Sequence, residues 1–466
     1  MKIKIAPLRK PKESILTDDQ YRDLIAQKES AIQFFAEQKG LKDHLRENTS
    51  LTGIKGEVER IPHSFSSRQL GHQICQQLQT EIVSEHKGRI ADILLTVPAL
   101  DEEEDGTYAF DIEERHHQTL IELLHKADER RSYTILCKPK DRNRIRGWFE
   151  VLGIAEEQYS INISLFNFTI WAQDAYVALK DQYNNPILCE SVLFDRREDA
   201  TIADDIAAQT NKSCLQSYLY FQGGNILEAG DYVMIGADYI TDNRGRAFLD
   251  TDDKITHAFE AIFGKKVLIV GRDELIPEEH RQYLGGGYQQ PIFHIDMYIT
   301  PTGKTSADGK EIVFVASPRL GREAVNEAPL DTDYDEYFDE AADQLSQYFT
   351  VKRMPILSCF TRFINSNDQE DEFYYYLTYN NVLIENYEQR SNVYLPSYSQ
   401  DVPYFLNDPN RLVYEGTSEK WQALDDKAQA IWYDEGFDTH VMDGLEDLTM
   451  GWGALHCITK TLVRED

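Results

Sequence analysis

A cysteine at position 457 stands directly after a histidine in the stretch GWGALHCIT. A thiol there can be a buried structural group, or a nucleophile that attacks electrophilic carbon once its surroundings favour the ionised form. Read as a strand, GALHCIT sends His456 and Cys457 to opposite faces. The adjacent imidazole is then not the expected partner of the thiol, and a base must come from elsewhere. His294, in PIFHIDMYIT, is the candidate. In a strand, His294 and Asp296 share one face while Ile295 and Met297 point into packing. A core histidine paired with a surface aspartate would also account for that pattern. A third segment, FTIWAQDAYVALKD, sets Trp171 and Asp174 in an apolar context. A carboxylate there requires a cation or hydrogen-bond donors. An aromatic face beside a carboxylate suits a planar cation, because a guanidinium can stack and also bond bidentately. A turn aspartate beside a core tryptophan is the plainer alternative.

The elements that must hold these residues read as α/β. Short apolar runs such as RIADILLTV, SYTILCK, YVMIG, KKVLIV, EIVFVAS and YNNVLIE have strand character. They alternate with helical stretches such as EERHHQTLIELLHKADE and EKWQALDDKAQAIWYDEG. Before Arg89 the pattern differs. TDDQYRDLIAQKESAIQFFAEQKG has an N-cap at Thr17, apolar positions at helical spacing and a stop at Gly40, and SSRQLGHQICQQLQTEIVSEHKG reads as a second helix. The expected organisation is a helical N-terminal extension over 1–88 and a catalytic domain over 89–466. No fixed-period repeat is visible in the sequence.

Several weaker patterns are set aside. DTDYDEYFDEAADQ begins like a calcium loop, but Glu336 stands where the loop needs glycine and Ala342 where it needs glutamate. It is read as an acidic helix start. LGGGYQQ lacks the spacing of a phosphate-binding loop. Six cysteines, at 75, 137, 189, 214, 359 and 457, show no CxxC spacing, so neither a zinc site nor a redox dithiol is expected. The chain has 80 acidic against 48 basic residues, a formal net charge of −32. That balance repels nucleic acid and anionic membranes, and suits a cationic partner or plain solubility. With no run of eighteen apolar residues and no signal-like start, the expectation is a cytoplasmic protein.

Taken in order, WAQD, GGN, HID and the late HC pair resemble the guanidine-modifying enzymes, the pentein superfamily of arginine and agmatine deiminases, amidinotransferases and protein-arginine deiminases. RIADILLTVPA, WAQDAYVAL, HIDMYITP, EIVFVASPR and GALHCIT are most similar to segments of the catalytic domain of protein-arginine deiminases, from about Arg89 to the end of the chain. The resemblance implies a five-bladed α/β propeller. It implies Cys457 as nucleophile, His294 as general acid/base, and Asp174 and Asp296 gripping the guanidinium. Trp171, Gly224 and Asn225 would line the substrate. Arg196 and Arg197 would match an arginine pair that holds a peptide backbone, although a solvated charge pair explains them as well.

The implied reaction is hydrolysis of arginine within a peptide or protein to citrulline and ammonia, without a cofactor. Two departures bear on this. Gln222 stands where small-substrate deiminases carry the glutamate that orients the histidine. Val177 stands where a calcium-binding glutamate is expected, which argues against calcium activation. A small-molecule deiminase (agmatine or arginine), an amidinotransferase and a non-catalytic guanidinium-binding protein are the alternatives.

Overall fold

The computed structural model of the chain describes residues 79–98, 114–166, 168–192, 197–210, 212–245, 249–281, 284, 287–328, 333–364, 370–399, 411–413 and 418–465. The helices expected before residue 79, Cys75 and Arg196 lie outside these residues.

The described strands form five sheets. Their strand pairings repeat one pattern. Each sheet has an antiparallel pair, and the second strand of the pair then pairs in parallel with a strand that follows it in sequence. In the first sheet, Tyr176–Lys180 lies antiparallel to Pro186–Glu190, and Ser213–Gln216 follows across the helix Ile202–Gln209. In the second, Ile226–Ala229 and Tyr232–Gly236 are joined by Lys266–Val270 after the helix Asp252–Phe263. In the third, Ile299–Thr305 and Glu311–Ser317 lead through the helices Pro318–Val325 and Asp335–Ser346 to Thr350–Ile364. In the fourth, Leu383–Tyr387 and Arg390–Ser397 lead through Ser418–Asp434 to Asp438–Asp443. The fifth joins the last described strand to an early one: Thr459–Glu465 lies antiparallel to Arg89–Val97, which reaches Ser132–Cys137 through Glu114–Ala127. Parallel neighbours need a crossover of this kind, and the covering helices leave their strands buried on both faces. RIADILLTV accordingly reads as a nearly continuous apolar run, eight of its nine residues buried. The helix expected from DYDEYFDEAADQ is present, with Tyr337, Phe338, Ala341 and Leu345 buried.

Residues 79–88 depart from the expected helix. Glu81–Ile82 is a strand that pairs antiparallel with Tyr176–Lys180, extending the first sheet. Glu81–Ile82 is thus part of the first sheet, where a helix was expected up to residue 88. The helical periodicity of the preceding residues does not carry through EIVSEHKG, where β-branched residues meet a waiting sheet edge. Among the described residues no helix is long and apolar enough to cross a membrane.

Candidate active site

The candidate residues lie at corresponding places in the five sheets. Asp174 precedes the strand Tyr176–Lys180, Gln222–Asn225 precedes Ile226–Ala229, and His294 and Asp296 precede Ile299–Thr305. Asn381 precedes Leu383–Tyr387, and His456 and Cys457 precede Thr459–Glu465. Each is held in a turn at the start of the leading strand.

These turns are stitched to one another by backbone bonds. Gln173 N donates to the Cys457 carbonyl at 3.2 Å, and Gly223 N donates to the Asp174 carbonyl at 3.2 Å. Gly224 N donates to Asp174 Oδ1 at 3.1 Å. Both glycines are required by contact. A Cβ on Gly223 would lie 1.9 Å from the Gln173 carbonyl oxygen, and one on Gly224 only 2.6 Å from His294 Nδ1. The same point on Gly224 lies 2.9 Å from Asp174 Oδ1 and 3.2 Å from Asp296 Oδ2, so three of the candidate side chains converge over this residue. Asn225 is buried and its Oδ1 accepts from Ile295 N at 3.1 Å and Gln290 Nε2 at 2.7 Å. It pins the turn that carries His294 and Asp296.

Both strand readings at the site are corrected. Ile295–Met297 is a 3₁₀ turn with His294 at its N-cap, and the strand begins only at Ile299. Residues 455–458 are likewise turns, with the strand starting at Thr459. Strand parity therefore does not apply, and His456 is not turned away from the thiol's surroundings. Its Nδ1 lies 2.8 Å from Asp296 Oδ2, the same oxygen that stands 3.6 Å from Cys457 Sγ. Compact turns bring residues that would alternate in a strand into one cluster.

The thiol sits among donors and charges. Asn381 Nδ2 donates to Cys457 Sγ at 3.1 Å, and Asn381 Oδ1 accepts from Cys457 N at 3.2 Å and Ala454 N at 3.1 Å. Sequence reasoning missed Asn381; the YNN preceding LIE, at the same place before a leading strand, was its only signal. Burial, then Asp296 and Asp174, push the Cys457 thiol well above its ordinary pKa. At rest the group is a thiol that donates to Asp296.

His294 Nε2 lies 3.0 Å from Gln222 Oε1. An amide oxygen only accepts, so Nε2 carries hydrogen, and Nδ1 faces Asp174 Oδ1 at 3.6 Å. The Gly-Trp-Gly stretch has a steric cause. A Cβ on Gly453 would lie 2.2 Å from Trp171 Cζ3, and one on Gly451 2.9 Å from Cζ2. Between them Trp452 adopts φ 64°, a conformation unfavourable for a residue with a side chain, held by edge contacts with Phe293 and Tyr376. Trp171 thus lies against the segment that carries Cys457. Arg197 opens the 3₁₀ turn Arg197–Thr201. Val177 is buried in an apolar cluster and offers no ligand atom. The described residues that could hold a metal are Glu190, Asp204 and Cys214, with donor atoms within 4.8 Å of one another and none of them a candidate residue.

Cys457, His294, Asp174 and Asp296 are 2%, 3%, 4% and 2% exposed, so the cluster they form is enclosed. Asp296 Oδ1 makes no hydrogen bond among the described residues. A buried carboxylate oxygen without a donor is costly, and a cationic ligand bearing N–H groups would satisfy it.

No protein-family model matches the chain, and no curated protein sequence does. Solved structures do. An assigned agmatine deiminase superposes with a TM-score of 0.57 at 16% identity, covering 83% of this chain and 96% of that one. The agmatine deiminase of Enterococcus faecalis superposes with a TM-score of 0.52 at 13% identity, covering 84% and 97%. That of C. jejuni gives 0.52 at 11% identity, covering 83% and 96%. The chain has the fold of these solved structures.

Proposed function

We propose that the protein is a guanidino-group hydrolase acting through a covalent adduct of Cys457. The observation that carries this reading is the convergence of His294, Asp174 and Asp296 over Gly224, with the thiol 3.6 Å from Asp296. Two buried carboxylates hold the planar cation and orient its central carbon toward Sγ. Bound substrate also offsets the charge that keeps the thiol protonated, so the thiolate forms when there is something to attack. Sγ adds to the guanidinium carbon. The thiol proton passes through His294 Nδ1 to the departing nitrogen, the C–N bond breaks and ammonia leaves. Water, deprotonated by the same nitrogen, adds to the S-alkylthiouronium; the C–S bond breaks, releasing a ureido product and the thiol. The five equivalent sheets support the propeller reading of the architecture, with each sheet as one blade.

Small guanidino compounds are the favoured substrates, because the reacting groups are enclosed. The objection from Gln222 loses force. Its Oε1 makes to His294 Nε2 the hydrogen bond that a glutamate would make. Peptide-bound arginine, expected from the sequence, is the second reading, supported by the motif likeness and the acidic charge.

The test is release of ammonia and ureido product from agmatine, free arginine and an arginine-containing peptide, with and without calcium, beside Cys457→Ala. Turnover of a small substrate that disappears in the variant supports the proposal. Peptide turnover alone moves the assignment to the second reading, and dependence on an added amine acceptor to an amidinotransferase. Equal background release by both proteins on all three substrates refutes it.

A further inference from the structure

The proposed reaction uses Asp296 but leaves open what holds it. Its Oδ2 lies 2.8 Å from His456 Nδ1, and His456 Nε2 lies 2.9 Å from Glu85 Oε2. Glu85 Oε1 accepts from Lys460 Nζ at 2.9 Å, and both Glu85 oxygens accept from Gln173 Nε2 at 3.0 and 3.1 Å. Lys460 and His456 are buried. A continuous series therefore runs from Lys460 through Glu85 and His456 to Asp296 and on to the thiol. None of Glu85, Lys460 and His456 is needed to touch a substrate.

Both ring nitrogens of His456 face carboxylate oxygens. A neutral imidazole can donate from only one nitrogen, so both bonds form only in the imidazolium. Burial opposes that charge, but Glu85 and Asp296 outweigh it and raise the group to about 9. The neighbouring charges are engaged elsewhere: His86 meets Glu228 at 3.5 Å and Glu311 at 3.0 Å, and Arg464 donates to the backbone carbonyls of Glu85, Gly88 and Ile384. Counting the series with Asp174, three carboxylates (Glu85, Asp174, Asp296) stand against two cations (His456, Lys460), a net of −1. One monocation brings it to zero. With a neutral His456 the count would be −2, and one of the two carboxylates flanking the ring would face a nitrogen lone pair instead of a donor.

We propose that His456, clamped by Glu85 and Lys460, is the positioning residue that fixes Asp296 through one oxygen and leaves the other presented to a planar monocation. The proposal rests on the guanidinium reading above, and its test separates the two. Cys457 is alkylated with 2-chloroacetamidine, a planar cation, and with 2-chloroacetamide, its neutral counterpart, and followed by peptide mass mapping. Rates are corrected by those of a free small thiol. The wild-type protein is expected to prefer the cation by at least about a hundredfold. His456→Phe should lose at least about tenfold of that preference. His456→Asn, whose amide can still donate to Asp296 Oδ2, should recover most of it. A strong wild-type preference that His456→Phe leaves unchanged overturns this inference alone. A loss that His456→Asn does not repair is a packing defect and overturns it too. No preference in the wild-type protein overturns the guanidinium reading, and this inference with it.

Discussion

Asp296→Asn should make the thiol more reactive and the protein less active. Burial and two carboxylates hold the Cys457 proton in place, and Asp296, 3.6 Å from Sγ, has the larger effect of the two. At that separation and an effective dielectric of about 20, two unit charges interact by about 4 kcal/mol. That is a ceiling of about three pKa units. Asparagine keeps the shape and part of the dipole, and His456 gives up its proton more readily once Asp296 is neutral, so the full amount is not expected. At pH 8 the rate of carbamidomethylation of Cys457 by iodoacetamide should still rise at least about tenfold, in proportion to the thiolate fraction. Guanidino hydrolysis should fall by about two to three orders of magnitude, as when a charge-stabilising group is removed from a site. Peptide mapping gives the rate at each cysteine. Cys137, Cys189, Cys214 and Cys359 are buried and serve as internal controls, because general loosening would accelerate them as well. A Cys457 rate equal to or below wild type, with the other cysteines silent, would refute the electrostatic reasoning.

Three further outcomes follow. Gly224→Ala places a Cβ 2.6 Å from His294 Nδ1 and 2.9 Å from Asp174 Oδ1, so the imidazole must move; kcat should fall about a hundredfold, for a destabilisation of about 1–3 kcal/mol in a denaturant melt. Gln222→Leu removes the acceptor from His294 Nε2, and steady-state kinetics should show kcat lowered by at least about tenfold with little change in KM. His456 has its folded pKa raised to about 9 from 6.5, so its charged form stabilises the fold fully below pH 6.5 and that contribution is lost as pH rises through 9. Denaturant midpoints should fall across this window by an amount corresponding to about 3 kcal/mol, and His456→Asn should flatten the slope.

The sequence pointed to the candidate residues better than to their geometry. Cys457, His294, Asp174 and Asp296 were legible because a thiol, an imidazole and carboxylates in apolar segments are costly to bury without purpose. The strand alternation applied to HIDMYIT and GALHCIT failed, since a short apolar run does not announce where a 3₁₀ turn gives way to a strand. That failure wrongly sent His456 to the opposite face. Glu85 was hidden for a related reason: it lies in a stretch read as the end of a polar helix, and only the pairing of Glu81–Ile82 with Tyr176–Lys180 brings it under the site. The repeating unit was invisible as a sequence period because the crossovers differ in length. The interval from Pro186–Glu190 to Ser213–Gln216 is much shorter than that from Arg390–Ser397 to Asp438–Asp443. Once the sheets are aligned, WAQDAY, QGGNI, HIDMYI, YNNVL and LHCIT occupy equivalent positions and differ in chemistry alone.

The pairing of Thr459–Glu465 with Arg89–Val97 couples residues more than 360 positions apart, and Cys457 is tethered directly to it. Contacts that distant form late, since a long loop must be closed before any of them is rewarded. Four sheets can acquire their local hydrogen bonds while the fifth still lacks its antiparallel partner. During refolding, secondary structure and the apolar cores would thus be regained before the thiol is sheltered. A partly folded chain would carry an accessible cysteine and an unpaired strand edge at the same moment, which makes that species the one most exposed to oxidation and to association with its own kind.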